Sequence, residues 1–165
     1  MPAKIQRITP CLWFDDQAEA AVKQYTAIFP NSRMLKASRY SKVGAEVSGR
    51  PQGSVLAISF TLDGVELQAL NGGPVFKFNE AVSLVVNCES QREVDHYWAR
   101  LSEGGDPSAH QCGWLKDRFG LSWQIVPTML GDLLADPDPE KAAKAMAAML
   151  KMKKLDIAEL ERAVA

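Results

Sequence analysis

The chain has 165 residues, of which 47% are hydrophobic and 24% are charged, and its formal net charge is −1. This size and composition are typical of one soluble globular domain, or of two small modules with a common core, and exclude a disordered or low-complexity chain. The near-zero charge gives no electrostatic case for binding nucleic acid or an anionic membrane. No apolar run is long enough to span a bilayer.

The cysteine content predicts a reducing compartment. Cys11, Cys88 and Cys112 are odd in number and widely spaced, which fits free thiols better than a disulfide framework. The N-terminal segment has no apolar signal core, because Asp15 and Asp16 follow a short strand-like run. We therefore expect a cytoplasmic protein.

The first half is predicted to contain a strand, a helix and three further strands. In chain order these are a strand over 5–14, a helix over 18–29, a strand over 34–40, a polar loop over 41–54, and strands over 55–62 and 65–70. Asp15 or Asp16 is the expected N-cap of the helix, and Asp63-Gly64 is a strong two-residue hairpin turn. The segment 71–79 is predicted to connect the halves.

The second half is predicted to follow a similar order. A strand over 81–88 precedes a helix from Ser90 to about Leu101, in which Ser90 and Glu93 form a capping box and Gly104-Gly105 ends the helix. Residues 107–112 are expected to be a short strand or a loop. A hairpin over 113–127 turns at 117–120, and Lys116, Asp117 and Arg118 are expected to be solvated there.

Two internal matches indicate a duplication. Gly64–Leu70 matches Gly120–Val126, with glutamine in the fifth place of each, and Leu12–Phe29 matches Leu84–Leu101 at one fixed offset. Together they predict an α+β fold built from two βαβββ modules, one over about 5–71 and one over about 80–127. Residues 136–165 are predicted to be a helical tail, with Asp138-Pro139 and Asp156 at its helix starts.

Several segments together resemble a known family. They are Ile8–Phe14, Gly72-Gly73-Pro74 with Phe76 and Phe78, Glu93–Trp98, Gly104-Gly105, and residues 112–127. Over about residues 5–127 the chain resembles the PhnB-like branch of the glyoxalase/bleomycin-resistance/dioxygenase (vicinal oxygen chelate) superfamily, some of whose members carry a demethylubiquinone methyltransferase label. The resemblance implies a glyoxalase-like domain over 1–135, with a mixed sheet that curls around a cleft.

The resemblance also implies where a metal would bind in metal-using members. Their ligands come from the first and last strands of each module, and these positions fall near Pro10, Gln68, Val82 and Gln124. Proline and valine side chains offer no donor, and two neutral amides do not neutralise a divalent ion. We therefore expect no metal and no other cofactor. A methyl donor site is also not expected, because no glycine-rich loop follows a strand.

The candidate ligand-binding residues are two amides and two aromatic side chains. Gln68 and Gln124 are expected to project into the cleft and to hydrogen-bond a polar ligand, and Trp114 and Phe76 to supply apolar walls. The alternatives are that the amides bridge the modules or bond the backbone, and that the aromatic side chains are core. His110 is a weak candidate for a general base, and Cys112 for a nucleophile.

Three functions remain open at this point. The first is a metal-free small-molecule-binding protein whose ligand is unknown. The second is a lyase, isomerase or dioxygenase with a non-standard site in the same cleft, and the third is a structural protein whose cleft is closed by side chains. A homodimer is expected from the resemblance and from the apolar tail. The sequence does not disclose the ligand, or whether modules pair within a chain or swap between chains.

Overall fold

The computed structural model describes residues 5–165, so the first four residues of the predicted domain lie outside the described part. The predicted α+β class is confirmed. The chain forms two compact units, Met1–Lys77 and Phe78–Ala165, and each contains one small mixed β-sheet with helices. None of the helices in the described part is long and apolar enough to cross a membrane.

The first unit contains one helix packed on a four-stranded sheet. Its elements are β1 (Cys11–Phe14), α1 (Ala18–Ile28), β2 (Arg33–Arg39), α2 (Lys42–Ser48), β3 (Val55–Leu62) and β4 (Val65–Asn71). The strand order is β1-β4-β3-β2, with β1 parallel to β4 and the other neighbours antiparallel. Alternate strand residues such as Ile58, Phe60 and Ala69 are buried, as are Val22 and Tyr25 of α1. One sheet face and α1 therefore form this unit's core.

Two elements of the first unit differ from the prediction. The first strand begins at Cys11 and not at residue 5, and the Pro10 carbonyl accepts a hydrogen bond from the Gln68 N–H at 2.9 Å just before it. The predicted loop over 41–54 contains α2, whose first turn is capped by Ser41 and which ends at Gly49 with φ 71°. The helix buries no residue, and its Val43 and Val47, which are one helical turn apart, are exposed. One such pair is too short a pattern to distinguish the helix from a loop.

The N-terminus of α1 is capped from a distant strand. The predicted caps, Asp15 and Asp16, do not fill this role, and the residue at the cap position, Gln17, makes no side-chain cap bond. Asn71, at the end of β4, accepts a hydrogen bond from the Ala18 N–H at 2.9 Å and donates one to the Val55 carbonyl at 3.2 Å. The cap is thus a tertiary contact that joins helix and sheet.

The second unit contains a three-stranded sheet and four helices. Its elements are β5 (Ser83–Cys88), α3 (Gln91–Ser102), a 3₁₀ turn (Pro107–Ala109), β6 (Trp114–Lys116), β7 (Ser122–Pro127), α4 (Met129–Leu134), α5 (Pro139–Met149) and α6 (Ile157–Val164). The strand order is β5-β7-β6, with β5 parallel to β7. The 107–112 segment forms the 3₁₀ turn and an isolated bridge between Gln111 and Trp114, so this sheet lacks a counterpart of β2.

The C-terminal helices are part of the second unit. Leu130, Met152, Leu155 and Leu160 form a buried cluster among α4, α5 and α6. The Cys112 and Gly113 N–H groups donate to the Met152 and Lys153 carbonyls, each at 2.8 Å. Asp138 and Asp156 cap α5 and α6 as predicted. The tail is therefore anchored to the start of the β6–β7 hairpin.

Candidate functional site

Each sheet has one face buried with its helix and one face directed away from it, which we call the far face. Residues opposite one another in register lie on the same face. In the first sheet this rule places Cys11, Gln68, Ser59 and Lys36 side by side on the far face, one from each strand. We call these four residues the polar row. Sequence analysis identified only Gln68 among them, because the register of four strands is not visible in the sequence.

The side chains of the polar row are available to a ligand. Within residues 5–165, no hydrogen bond or ion pair involves the Gln68 carboxamide, the Ser59 hydroxyl or the Lys36 ammonium. Gln68, Lys36 and Cys11 are exposed, and Ser59 is half-buried. Partial burial raises the pKa of the Cys11 thiol above its usual value of 9.0, so the thiol is protonated near neutral pH.

An aromatic pair lies on the same face, beyond the polar row toward the ends of β1 and β4. Trp13 follows Cys11 on the same face and is opposite Leu70. The Trp13 indole donates to the Gly73 carbonyl at 2.9 Å, and the Phe76 ring meets it edge-to-face with centroids 4.9 Å apart. Phe76 is 62% exposed, so the alternative that it is a core residue does not hold. Gly72 makes room for the indole, since a Cβ there would lie 2.2 Å from it.

The far face of the second sheet has similar residue types but fewer free groups. Gln124 is opposite Trp114 and Val85, so the two predicted candidates of this unit share one face. The Gln124 amide donates to the Ser83 hydroxyl at 2.9 Å, and the Lys116 ammonium pairs with the Glu80 carboxylate. The alternative supposed that this amide bridges the modules or bonds the backbone. It bonds a side chain of its own sheet instead.

The two glutamines have different neighbours in register. The internal repeat equates Gln68 with Gln124 and Cys11 with Ser83. In the structure Gln68 is opposite Cys11, whereas Gln124 is opposite Val85, two residues beyond Ser83. A shift of two residues keeps the glutamine on the same face but changes its neighbours. It places Ser83 where the Gln124 amide can reach it.

The residues at the superfamily's metal positions do not fit a divalent ion. The register places Cys11 and Val85 opposite the glutamines, instead of Pro10 and Val82 as the sequence alignment suggested. Valine has no donor and the amides are neutral, which leaves the Cys11 thiol as the one ligand that could carry a negative charge. Among the described residues, no three or more His, Cys, Asp or Glu side chains are grouped so that they could hold a metal.

His110 and Cys112 lie in the second unit without an activating partner. The His110 ring packs against Trp98 with centroids 5.0 Å apart, and its Nε2 atom is buried with no hydrogen-bond partner among the described residues. Cys112 has φ 51° and forms, with Gly113 at φ 84°, the tight turn between Gln111 and Trp114. Within residues 5–165 neither side chain hydrogen-bonds an acid or a base. The Asp106 carboxylate interacts with His110 only through space, so the geometry supports neither catalytic role.

Asp117 is a buried structural residue. It is 2% exposed, which corrects the expectation of a solvated turn. One carboxylate oxygen accepts from the N–H groups of Phe119 and Leu121 at 2.8 and 3.0 Å, and the other accepts from the Trp123 indole at 2.8 Å. Asp117 therefore fixes the β6–β7 hairpin. Only its turn position was apparent from the sequence.

A separate concavity lies between α5 and α6. Its volume is about 390 Å³, and it is lined by Lys144, Lys151, Arg162, Glu159 and three alanines. It contains no aromatic, histidine or cysteine side chain. The concavity therefore has charged groups but no aromatic wall, whereas the far face of the first sheet has both polar and aromatic side chains.

Comparisons with known proteins agree with this fold. A family model described as 3-demethylubiquinone-9 3-methyltransferase matches residues 6–126. The PhnB protein from Bacillus cereus, provisionally described by the same activity, is 33% identical over 74% of this chain and 100% of its own, with a TM-score of 0.64. No curated protein matches the chain.

Two more distant structures share the fold alone. A protein from Pseudomonas aeruginosa is 20% identical, covering 75% of this chain and 98% of its own, with a TM-score of 0.57. The fosfomycin resistance protein FosX from Listeria monocytogenes is 17% identical, covering 82% and 99%, with a TM-score of 0.53. The predicted PhnB-like resemblance is confirmed, and the chain belongs to the family described as 3-demethylubiquinone-9 3-methyltransferase.

Proposed function

We propose that the protein binds a small organic molecule on the far face of its first sheet and needs no metal ion to do so. The observation that carries the proposal is that the free Gln68 carboxamide and the Trp13–Phe76 pair lie on one face of the first sheet, with the pair further along the strands. An apolar wall with a few convergent polar groups is the usual composition of a small-molecule site. A carboxamide both donates and accepts, so it suits a ligand carbonyl or hydroxyl group.

The second sheet supports this choice by contrast. Its amide and its lysine already have partners, Ser83 and Glu80. A ligand that displaced them would lose part of its binding free energy in breaking those contacts. Gln124 and Trp114 remain candidates for ligand contact, but we assign the principal polar contact to Gln68.

The binding test uses a neutral bicyclic aromatic probe, 2-naphthamide, followed by calorimetry and by tryptophan fluorescence. We expect binding by the wild-type protein, and weaker binding by Trp13→Leu and Gln68→Ala. Gln52→Ala, an exposed loop change away from the sheet, is the matched control and should bind as the wild type does. Failure of the wild-type protein to bind 2-naphthamide at millimolar concentration would contradict the proposal.

The metal-free part is tested separately. We expect gently purified protein to contain no stoichiometric divalent metal by mass spectrometry. Added Zn²⁺, Mn²⁺ or Ni²⁺ should leave its melting temperature unchanged, because an ion that bound only the native state would raise it. One bound divalent ion per chain would instead favour the enzyme alternative.

Methyl transfer is the competing function, because the family description and the Bacillus cereus protein both name it. It requires that S-adenosylmethionine bind and that its methyl group move to an acceptor oxygen, with release of a proton. Incubation with S-adenosylmethionine and a soluble demethylubiquinone analogue tests this directly. Formation of S-adenosylhomocysteine in proportion to enzyme would replace our proposal, and we expect none.

We further propose a cytoplasmic homodimer. The three cysteines are free, as a reducing compartment would keep them. Met146 and Leu150, from the predicted apolar stripe of α5, are 42% and 55% exposed and are available to a second copy. Light scattering at micromolar concentration should give the dimer mass for the wild type and the monomer mass for Met146→Lys with Leu150→Lys. A monomeric wild type would refute this assembly.

A further inference from the structure

The concavity between α5 and α6, which we call the helix groove, has one wall made by a single side of α5 and the turn after it. The residues of this wall are spaced three or four positions apart and are Lys144, Ala147, Ala148 and Lys151. Lys151 comes a full two turns after Lys144, so the two lysines lie roughly 10 Å apart along the helix direction. This wall therefore presents a cation at each end and small apolar side chains between them.

The α6 wall adds a third cation and one carboxylate. It consists of Glu159, Arg162 and the half-buried Ala163. The charged residues of the helix groove carry a net charge of +2, in a chain whose formal net charge is −1. In the described part of the chain, none of Lys144, Lys151 and Arg162 forms an ion pair or a side-chain hydrogen bond. The groove is thus a local positive region whose cations have no internal counter-ion.

The size of the helix groove suits a small molecule. Its volume of about 390 Å³ is within the range of ordinary ligand sites, about 300–1,000 Å³. The uncharged part of its lining is alanine only, so no large apolar side chain fills the space. Met146 and Leu150, the proposed dimer contacts, are not part of the lining. The groove and the proposed dimer surface are therefore distinct.

From this arrangement we infer that the helix groove binds a small organic dianion whose two carboxylates are joined by a short aliphatic chain. One carboxylate pairs with Lys144 and the other with Lys151, and the aliphatic chain lies along the alanines between them. The Arg162 guanidinium, on the facing wall, can donate two hydrogen bonds to one of these carboxylates. A molecule with one carboxylate leaves one end of the groove uncompensated, so the site selects for two charges. The inference is independent of the proposed function, because the site lies in the second unit.

The test titrates isotope-labelled protein with suberate, a linear dicarboxylate, and follows the backbone amide signals by NMR. At about 20 mM salt we expect a Kd of about 1 mM, the order expected for a ligand of this size, with shifts confined to α5, α6 and the turn between them. Monomethyl suberate, in which one carboxylate is a neutral ester, should bind about two- to fivefold more weakly, as the loss of one exposed ion pair predicts. The difference should shrink at about 0.5 M salt, where exposed charges are screened.

Two kinds of variant locate the site. Lys144→Gln and Lys151→Gln should each weaken suberate binding by about two- to fivefold and reduce the preference over the monoester. Ala147→Leu should weaken binding without a change of charge, because Ala147 is exposed in the groove and the larger side chain occupies its space. Lys141→Gln and Ala143→Leu are the matched controls. Both change exposed α5 residues outside the lining and should bind suberate as the wild type does.

Circular dichroism and the melting temperature establish that each variant is folded. Absence of shifts at about 10 mM suberate, ten times the expected Kd, would overturn the inference, and so would shifts outside α5 and α6. Equal affinity for suberate and its monoester would exclude selection of a dianion. Equal weakening by Lys141→Gln and Lys144→Gln would mean that overall charge, and not the groove, attracts the ligand. None of these results bears on the first sheet, whose test uses 2-naphthamide and other variants.

Discussion

In each of the two sheets the first strand pairs in parallel with the last, but the sheets differ in how their polar side chains are satisfied. On the first sheet, Gln68 and Lys36 have no partner in the described structure, whereas on the second sheet Gln124 bonds Ser83 and Lys116 pairs with Glu80. The neighbours in register also differ, since Gln68 is opposite Cys11 and Gln124 is opposite Val85. Glutamines at the same place of two similar motifs are therefore free in one module and bonded in the other.

The largest expected effect concerns the buried Asp117 carboxylate in the β6–β7 hairpin of the second unit. Asp117→Asn should destabilise the protein by about 2–3 kcal/mol, because an amide cannot accept all three of the hydrogen bonds that the buried carboxylate accepts. Urea denaturation measures the change. Asp106→Asn, at an exposed capping residue, should cost less. A free energy of unfolding equal to that of the wild type would show that the carboxylate does not hold this hairpin.

A second prediction concerns the support of the aromatic pair on the first sheet. Gly72→Ala should cost about 1–3 kcal/mol and alter tryptophan fluorescence, because the new Cβ would overlap the Trp13 indole. Gly131→Ala is the matched control. It lies in a helix with open space around it and should be neutral or stabilising by up to about 1 kcal/mol. Equal stability of the two variants would mean that the indole does not lie against Gly72.

Cys11 on β1 is exposed and Cys88 on β5 is buried, so the two thiols should differ in reactivity. Burial, and then the nearby Glu93 carboxylate, raises the pKa of Cys88 from 9.0 to about 11. The unfolded chain therefore releases this proton first, and stability should fall as the pH rises from about 9 to 11, by up to about 1–2 kcal/mol. Below pH 9 both states hold the proton and the effect is absent.

Cys88→Ala should remove this part of the pH dependence, measured as the unfolding free energy at pH 8 and pH 10.5. In the native wild type, a thiol reagent at pH 8 should modify exposed Cys11 well before Cys88. Rapid modification of Cys88 would contradict its burial.

The smallest effect is the most direct test of the contrast between the glutamines. Gln124→Ala should cost about 1 kcal/mol, because it leaves the half-buried Ser83 hydroxyl without its donor. Gln68→Ala should change stability by less than about 0.5 kcal/mol, since its amide is exposed and bonds only solvent. Matched denaturation curves measure both, and equal costs would remove the distinction between the two sheets.

Much of the fold could be predicted because its signals are local. The Asp63-Gly64 turn and the caps at Ser90, Asp138 and Asp156 depend on a few adjacent residues, and all of them are found. The capping box at Ser90 is only half formed, because the Glu93 carboxylate accepts from the Glu89 N–H instead of the Ser90 N–H. Helix α2 was missed because it buries nothing, and the α1 cap was misassigned because its acceptor, Asn71, is distant in sequence.

The candidate site was only partly predictable. The repeat identified Gln68 and Gln124 and placed both on one kind of face, since strand alternation follows from sequence. Ser59, Lys36 and Cys11 were not identified, because a residue's neighbours on adjacent strands are set by register. The burial of Asp117 was missed for a related reason: its partner Trp123 lies on the returning strand.

The sequence by itself determined the α+β class, the duplicated modules, the helical tail and the family, because periodicity, turn residues and short motifs act over a few positions of the chain. Only the tertiary structure decided which side chains meet. Strand pairing in register brings residues from four separate strands into one row, and the neighbours that each strand supplies leave Gln68 free and give Gln124 a partner in Ser83.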